Sequence, residues 1–382
     1  MGKIALNYIY LSKNHAGGKD QVGLNLLKGF YEQGLTKEMV VICFDYSCNI
    51  VRKIAPDIEI IKLKCKVKMK NELERMAYIC WINTVVVPKI IKQSGLDIIY
   101  HLSCNNGLRK DSCISVVIPH DIKAVAHRVL ANVKIPFYKY YLYKFMYYMD
   151  FKHADHIIAI SDTDKNEISQ YYGKFQGKIR RIYNPIVINH EDTNRRNSQS
   201  SYICAVNLQF HHKNIITLIK AVELLKDKLN YKLILIGNVP KRVEYLKTYV
   251  REHGLEDKIE FTGFVNDEKM KDLFQNSALY INPTLYEGFG MTAIEAMIYR
   301  IPTLISKIPT NFEITKGLCN YYYPPEDEKV LSEKILECLS MKYDEKELQD
   351  ISEEIYNTYN YLEISRQYYE FFESIMKKYS GV

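Results

Sequence analysis

The chain has 382 residues, of which 47% are hydrophobic and 25% charged, and its formal net charge is +7. This length predicts two domains, and the composition is typical of a soluble globular protein and excludes a disordered or fibrous one. The nine scattered cysteines lack zinc-site spacing, which favours reduced thiols in a cytosolic protein. No apolar run is long enough to predict a membrane span, and the mild positive charge is compatible with an anionic substrate or an anionic membrane surface.

Short apolar strands alternate with longer helical patterns through the first half of the chain. The opening stretch lacks a small-residue cleavage site, so we interpret it as a strand and not as a signal peptide. The predicted strands are GKIALNYIYL, MVVICFDY, LDIIYHLS, CISVVIPHD and HADHIIAIS. Helices are predicted over DQVGLNLLKGFYEQG, part of AYICWINTVVVPKIIKQSG, and DTDKNEISQYYG.

The same alternation restarts after a polar, aperiodic stretch at 188–200, which we interpret as a linker. Strands are predicted over YICAVNL, YKLILIGNVP, KIEFTGFV and ALYINPT, with helices between them. The pattern predicts an α/β protein with two Rossmann-like domains whose parallel sheets face a central cleft. Ligands of such sheets bind beyond the carboxyl ends of the strands, so functional motifs are expected there.

Two motifs of the first half follow predicted strands. In NHAGGKD, Gly17 and Gly18 would let the backbone approach a phosphate at a helix N-terminus, although a plain strand-to-helix turn explains them equally well. In VIPHD, His120 could bond a sugar hydroxyl or transfer a proton. The alternative is that Asp121 caps a helix and His120 is incidental.

Two further motifs concern charge at the ends of strands. Asp162 and Asp164 in HIIAISDTD match a metal-binding D-x-D, but we favour the interpretation that Ser161 or Asp162 caps the following helix. Lys213 in NLQFHHKNI precedes an amphipathic helix and could neutralise a pyrophosphate. The adjacent histidines are interpreted as solvated loop residues.

The stretch LYEGFGMTAIEAM holds two glutamates, at 287 and 295. Thr292 and Glu295 fit a helix capping box, which would explain Glu295 without any ligand. Glu287 has no such explanation, since it lies in a glycine-containing loop after a strand. Gly288 and Gly290 would allow backbone amides to face a ligand.

Two basic stretches bear on the surface of the first domain. IKLKCKVKMK (61–70) places five lysines on one face of a strand, which indicates either a protected edge strand or a basic face for phospholipid. PFYKYYLYKFMYYMDFK (136–152) mixes aromatics with lysines. We favour a buried helix there over a helix that lies at a membrane interface.

Taken together, these motifs resemble the retaining GT-B glycosyltransferases of family 4. That family has a Glu-x7-Glu pair in a segment similar to PTLYEGFGMTAIEAM, and HHKNIITLIKAVELL, IPHDI and ADHIIAISDTDK also have family counterparts. NYLEISRQYYEFFESI is similar to a terminal helix that crosses back to the first domain. The resemblance implies an acceptor-binding domain at 1–187, a nucleotide-sugar-binding domain at 188–358 and a crossing helix at 359–382.

The resemblance also implies roles for residues of the second domain. Glu295 would bind the ribose, Glu287 the donor sugar hydroxyls, and Lys213 the diphosphate. Backbone groups at the remaining positions would contact the donor: Asn207, Gly237, Val265, Gly288, Phe289 and Gly290. Val206 or Asn207 stands where the family usually has glycine in that turn, and His212 replaces an arginine.

In the first domain, the resemblance implies that Gly17 and Gly18 approach the diphosphate and that His120 reaches the transferred sugar, so that His120, Glu287 and Lys213 are the candidate catalytic residues. The implied reaction moves a hexose from a UDP- or GDP-sugar to a glycan or lipid-linked saccharide, as in bacterial polysaccharide synthesis, without metal, cofactor or nucleic acid. A cytoplasmic location with peripheral contact at an anionic membrane is expected. The alternatives are a metal-dependent transferase using Asp162 and Asp164, a non-catalytic nucleotide-sugar-binding partner, and a GT-B sugar-nucleotide epimerase.

Overall fold

The computed structural model describes residues 2–14, 17–65, 72–131, 133–188 and 200–380. These residues form two compact units. The first unit comprises Met1–Arg128, Ile135–Val187 and Tyr359–Val382, and the second comprises Val129–Lys134 and Ile188–Thr358.

Each unit is built on a parallel sheet. The strands, in chain order, are β1 (Ile4–Asn7), β2 (Met39–Phe44), β3 (Glu59–Leu63), β4 (Ile98–His101), β5 (Ile114–Val117), β6 (Val129–Leu130), β7 (Val133–Lys134), β8 (His156–Ala159), β9 (Ile179–Arg181), β10 (Tyr202–Val206), β11 (Lys232–Ile236), β12 (Ile259–Gly263), β13 (Tyr280–Asn282), β14 (Thr303–Ser306) and β15 (Asn320–Tyr322). The first sheet has the order β3-β2-β1-β4-β5-β8-β9 and the second has the order β12-β11-β10-β13-β14-β15. Within the described part of the chain, β6 and β7 pair only with each other, antiparallel, and both are grouped with the second unit.

Helices connect the strands of both sheets. They are α1 (Gly18–Glu32), α2 (Cys48–Ile54), α3 (Glu72–Trp81), α4 (Val87–Ser94), α5 (Lys123–Ala126), α6 (Phe137–His153), α7 (Asp162–Tyr171), α8 (Ile215–Leu224), α9 (Tyr245–Glu252), α10 (Asp267–Gln275), α11 (Met291–Ile298), α12 (Pro309–Ile314), α13 (Glu328–Ser340), α14 (Glu345–Tyr359) and α15 (Tyr361–Ser380). A π-helical segment, Ile82–Val86, joins α3 to α4. None of the helices in the described residues is long and apolar enough to cross a membrane.

The central strands are mostly apolar because helices cover both faces of a parallel sheet. Strands β1 and β2 are buried at every position, and so are the core residues of β10 and β11 from Ile203 and Leu233 onward. This arrangement leaves the loops at the carboxyl ends of the strands as the places where polar side chains can gather.

The last helix, α15, packs on α1 in the first unit. Gly29 permits this approach, since a β-carbon there would lie 2.1 Å from the Ser365 hydroxyl oxygen and 2.7 Å from the Tyr361 carbonyl oxygen. Gln33 adds a hydrogen bond from its side-chain amide to the Leu362 carbonyl at 3.0 Å. A larger residue at position 29 would therefore force the two helices apart.

The prediction of a buried helix over 136–152 is wrong. Only Asp150 and Phe151 of α6 are buried. One face of the helix, which includes Tyr140 and Tyr147, packs against the buried cluster around Phe151. The opposite face is also aromatic but lies exposed, so apolar composition alone did not reveal which side was covered.

The lysine-rich stretch 61–70 is only partly a strand. Strand β3 ends at Leu63 and lies at the edge of the first sheet, with Lys62 exposed, as an edge strand protected by charge would be. Lys64 is exposed beyond the end of the strand. The predicted lysines at 66, 68 and 70 lie outside the described residues.

Candidate functional site

Two loops at the carboxyl edge of the second sheet are joined by hydrogen bonds. The loop after β10 offers the His212 carbonyl, which accepts from the Leu285 N–H at 2.8 Å and from the Thr284 hydroxyl at 3.0 Å in the loop after β13. These bonds hold the two loops side by side. They bring together the sequence motifs around Lys213 and Glu287, which are 74 residues apart.

Lys213 and Glu287 form an ion pair in this pair of loops. Their side chains are 14% and 11% exposed, so the pair is largely withdrawn from water. Removing water strengthens the attraction between opposite charges, but each group still keeps a small accessible surface. The pair therefore presents a cation and a carboxylate together at the surface of the sheet edge.

Asn214 fixes the position of Lys213, and its role was not predicted from the sequence. Its backbone is left-handed, with φ of 56°, at the start of α8. The side-chain amide donates to the carbonyls of Pro283 at 3.1 Å and Pro325 at 2.8 Å, and its oxygen accepts from the Thr217 hydroxyl at 2.8 Å. An asparagine just before a helix was the available signal, because asparagine tolerates this conformation.

Glu295 does not belong to a capping box, and that interpretation is wrong. Helix α11 begins at Met291 with Gly290 as its N-cap, so Thr292 is already inside the helix and not at the capping position. The side chain of Thr292 bonds Tyr280 instead. A helix that starts two residues earlier than predicted places Glu295 in its second turn, where no free backbone N–H remains to be capped.

The Glu295 carboxylate is half-buried and has no hydrogen-bond or ion-pair partner among the described residues. Burial raises the pKa of this carboxyl from 4.5 to about 7. Both carboxylates act electrostatically on the buried Tyr280 hydroxyl: burial is the main cause of its raised pKa, and the charges of Glu287 and then Glu295 raise that pKa further. An unpaired carboxylate of this kind is suited to accept hydrogen bonds from a ligand.

The glycine-containing loop before α11 is tightly packed. Gly290 has φ of 87°, and a β-carbon there would lie 3.0 Å from Cδ1 of Ile314. The Phe289 side chain is buried, so only its backbone is suited to contact a ligand. Gly288 is half-buried beside Glu287.

Three turns at the same edge of the sheet also use left-handed backbone. Asn207 is exposed with φ of 68°, a left-handed conformation that asparagine tolerates better than most residues. Gly237 has φ of 123° and forms an isolated bridge with Gly263. Val265 follows this bridge and is half-buried. These turns lie at the ends of β10, β11 and β12, and contacts from their backbone groups to a donor remain a prediction.

In the first unit, His120 follows β5 with a left-handed backbone, φ 65°. Its Nε2 donates to the Leu102 carbonyl at 2.7 Å, which leaves Nδ1 as an acceptor. Burial, with a smaller contribution from the positive charge of Lys19, lowers the pKa of His120 to about 4 even though the bond to the Leu102 carbonyl raises it. The ring is therefore neutral near pH 7.

Gly17 caps α1 and Gly18 begins it, and a β-carbon at either would meet no atom of the described residues within 4 Å. The next residue, Lys19, was not predicted as a site residue, although a lysine directly after a glycine pair at a helix start was a visible signal. Burial first, then the charge of Arg75, lowers the pKa of Lys19 to about 8. The Arg75 guanidinium donates to the Tyr10 carbonyl at 2.5 Å, and neither cation has a carboxylate partner among the described residues.

The interpretation of Asp162 and Asp164 as a helix start is confirmed. The Ser161 hydroxyl accepts from the Asp164 N–H at 2.9 Å, and the Asp164 carboxylate accepts from the Ile160 N–H at 3.1 Å. Asp162 pairs with Arg181 at 3.7 Å. In the described residues no three His, Cys, Asp or Glu side chains are grouped so that they could hold a metal ion.

The two parallel-sheet units define a Rossmann-like α/β protein of the GT-B class. The family model described as glycosyl transferases group 1 matches residues 188–358, and the one described as glycosyltransferase family 4 matches residues 17–190. Together the matches span nearly all of both units. The chain belongs to glycosyltransferase family 4, as the resemblance of its motifs predicted.

Curated relatives support this assignment over part of the chain. The O-antigen chain mannosyltransferase RfbU of Salmonella typhimurium is 31% identical over 188 residues, which are 49% of this chain and 52% of the relative. An uncharacterised glycosyltransferase of Methanocaldococcus jannaschii is 28% identical over 200 residues, 48% of this chain and 51% of the relative. The chain thus spans about half the length of the curated relatives it matches.

Solved structures resemble the fold over almost the whole chain. Anabaena HepE in complex with UDP and glucose has a TM-score of 0.71 at 16% identity and covers 98% of this chain and 100% of its own. Sucrose-phosphate synthase from Thermosynechococcus elongatus has a TM-score of 0.76 at 16% identity and covers 99% and 100%. At such low identity the likeness shows the GT-B fold alone.

Proposed function

We propose that this chain is a retaining glycosyltransferase that moves a hexose from a nucleotide-diphospho-sugar to a glycan or a lipid-linked saccharide. The observation that carries the proposal is the half-buried Glu295 carboxylate, which has no partner among the described residues and lies on the helix that follows the Glu287 loop. Vicinal hydroxyls of a ribose would satisfy Glu295. Glu287 would then accept from hydroxyls of the transferred sugar.

Catalysis requires stabilisation of the nucleoside diphosphate as it leaves. Lys213 supplies a fixed positive charge in a site partly withdrawn from water, where such charges are most effective. In the first unit, Lys19 and the N-terminus of α1 after Gly17 and Gly18 are further groups suited to an anion. Lys213 would take the place of a cation, so we propose that the reaction needs no metal.

His120 would contact the transferred sugar. Its Nδ1 is an acceptor because Nε2 donates to the Leu102 carbonyl, and its lowered pKa keeps the ring neutral. A neutral acceptor can hold a sugar hydroxyl without adding a positive charge beside an oxocarbenium-like centre. Retention of the anomeric configuration is proposed from family membership.

Relatives and neighbours narrow the donors worth testing. RfbU is named a mannosyltransferase, and HepE was solved with UDP and with UDP-glucose. A UDP-hexose and a GDP-hexose such as GDP-mannose are therefore the leading donors. The relatives named for O-antigen synthesis support polysaccharide assembly, and we propose that it takes place at the cytoplasmic face of an anionic membrane.

A thermal-shift panel of UDP-, GDP-, ADP- and dTDP-hexoses in EDTA tests this function. A ligand that binds the native state raises the melting temperature, and at a concentration about 100 times the Kd it adds about 2.7 kcal/mol. Glu295→Ala should weaken binding at least about tenfold and so reduce this stabilisation to about half or less, whereas Glu333→Ala, at an exposed position on α13, should preserve it. A shift of wild-type size in Glu295→Ala, or one that requires a divalent cation, would contradict the proposal.

A further inference from the structure

The first unit has an exposed aromatic surface on α6. Tyr138, Tyr141, Leu142 and Phe145 lie at helical spacing i, i+3, i+4 and i+7, and all four are exposed, Tyr138 by 65% and Phe145 by 54%. We call these four residues the α6 stripe. Phe137 lies beside Tyr141 of the stripe, with ring centroids 4.5 Å apart. Contiguous exposed aromatic surface of this kind usually marks a contact with a partner or a membrane.

An apolar groove continues from the α6 stripe toward α3. It has a volume of about 350 Å³, and its lining includes Met76, Ala77, Cys80, Leu142, Phe145 and Met149. Asp150 also borders the groove, but its carboxylate oxygens accept the N–H groups of Asn105 and Asn106, both at 2.8 Å. The charged group is thus satisfied from the protein side, and the groove is suited to hydrocarbon.

Basic residues accompany this surface. The sequence from Phe137 to Met149 contains Lys139 and Lys144 but no aspartate or glutamate. Lys144 lies 5.9 Å from the centre of the Tyr140 ring, and Arg128 lies 5.7 Å from that of Phe137. The acidic Glu72 on α3 accepts a hydrogen bond from the Tyr143 hydroxyl, which lies on the packed face of α6 and not on the α6 stripe.

We propose that the α6 stripe and its groove dock onto an anionic phospholipid bilayer. Tyrosine and lysine side chains suit the region between headgroups and acyl chains, since their apolar parts enter the lipid while their polar tips remain in contact with water and phosphate. The groove would receive part of an acyl chain. This inference rests on the proposed function, for which it supplies the membrane-contact surface.

Charge favours the bilayer over a second copy of the chain. A two-fold dimer through the α6 stripe would bring Lys139 and Lys144 of each copy against the same residues of the other. The net charge of +7 adds to that repulsion. Anionic headgroups instead neutralise both lysines, and each lysine near such a surface strengthens binding about fivefold.

The test is co-sedimentation of the full chain with vesicles, without any sugar donor. Vesicles of equal parts phosphatidylglycerol and phosphatidylcholine should bind the wild type, and vesicles of phosphatidylcholine alone should bind it at least about tenfold more weakly. Tyr138→Ser/Phe145→Ser should reduce binding at least about tenfold by removing apolar contact area. Lys139→Gln/Lys144→Gln should reduce it about 30-fold, and added salt should reduce it further.

Matched variants in the second unit provide the controls. Leu224→Ser/Phe312→Ser removes two apolar side chains of comparable exposure, and Lys226→Gln/Lys228→Gln removes the same charge. Both should bind vesicles like the wild type, and a thermal melt of each variant verifies folding. Equal vesicle binding by the α6 variants and the controls would overturn the inference. It would also be overturned if the wild type formed a dimer in the absence of lipid and the α6 variants were monomeric.

The two proposals fail separately. Donor-induced thermal shifts are measured without vesicles, and vesicle binding is measured without donor. If the wild type shows donor-induced thermal shifts but does not bind vesicles, the docking surface alone is contradicted. If the wild type binds vesicles, the α6 variants bind them weakly and no donor raises the melting temperature, the transferase function alone is contradicted.

Discussion

Replacing Glu295 with glutamine should make the protein more stable and, at the same time, a poorer binder of its donor. The folded state raises the pKa of this carboxyl from 4.5 to about 7 by burial. Each pKa unit corresponds to about 1.36 kcal/mol, so the ionised side chain costs at most about 3 kcal/mol of folding free energy, and its partial exposure reduces this figure. Glutamine keeps the shape without the charge.

The sign of the pH dependence follows from the raised pKa. Between about pH 4.5 and pH 7 the folded protein holds a proton that the unfolded chain has released, so the contribution of Glu295 to stability falls as pH rises. Urea unfolding should show wild type and Glu295→Gln nearly equal at the acidic end of this window. Above it, the variant should be more stable by up to about 3 kcal/mol.

Donor affinity should change in the opposite direction. A carboxylate can accept from both ribose hydroxyls, whereas the glutamine amide has a single acceptor oxygen. Loss of a charged hydrogen bond costs about 1.5–3 kcal/mol, so titration calorimetry should show binding weakened about 10- to 150-fold. Glu333→Gln should change neither quantity. A variant that is less stable above pH 7, with unchanged donor affinity, would show that Glu295 has a structural role and refute the reasoning.

Three other changes have expected outcomes. Lys213→Ala leaves the Glu287 carboxylate without its cation, so urea unfolding should show a loss of about 2 kcal/mol in the free energy of unfolding. Turnover with saturating donor should fall about 10²- to 10³-fold, and near-normal turnover would contradict a role of Lys213 in the site. Gly290→Ala combines a left-handed backbone with a contact to Ile314, so unfolding should show a loss of about 1–3 kcal/mol, and an unchanged midpoint would contradict the packing described. Asn214→Ala removes two bonds to carbonyls, so stability should fall by about 1–2 kcal/mol and the Kd for donor should rise, whereas a change in neither would contradict its positioning role.

Much of the fold was predictable because its strands are buried on both faces and are therefore continuously apolar. Strands β1, β2, β10 and β11 all fall within predicted apolar runs. Helix α6 was misjudged because it is aromatic on two opposite faces, and only one of them, the face with Tyr140 and Tyr147, has a partner cluster. Composition reports how apolar a segment is, whereas burial depends on what the rest of the chain places against it.

Some features of the candidate site were also predictable from the sequence, and others were not. The spacing of Glu287 and Glu295 was visible in the sequence, and so was Lys213. The capping box around Glu295 failed because Gly290 starts the helix earlier, a choice that depends on left-handed backbone and packing against Ile314. The lowered pKa of Lys19 was not predictable, since it arises from burial and from Arg75, 56 residues away in sequence.

The most direct measurement of the central claim is transfer itself. The donor that raises the melting temperature would be incubated in EDTA with the protein and a membrane fraction that carries lipid-linked saccharides. A transferase should release nucleoside diphosphate in step with the appearance of the labelled hexose on the acceptor, and Lys213→Ala should lose both. Tight donor binding without any release would contradict the transferase function and favour a non-catalytic binding protein, and a change of the sugar without transfer would favour an epimerase.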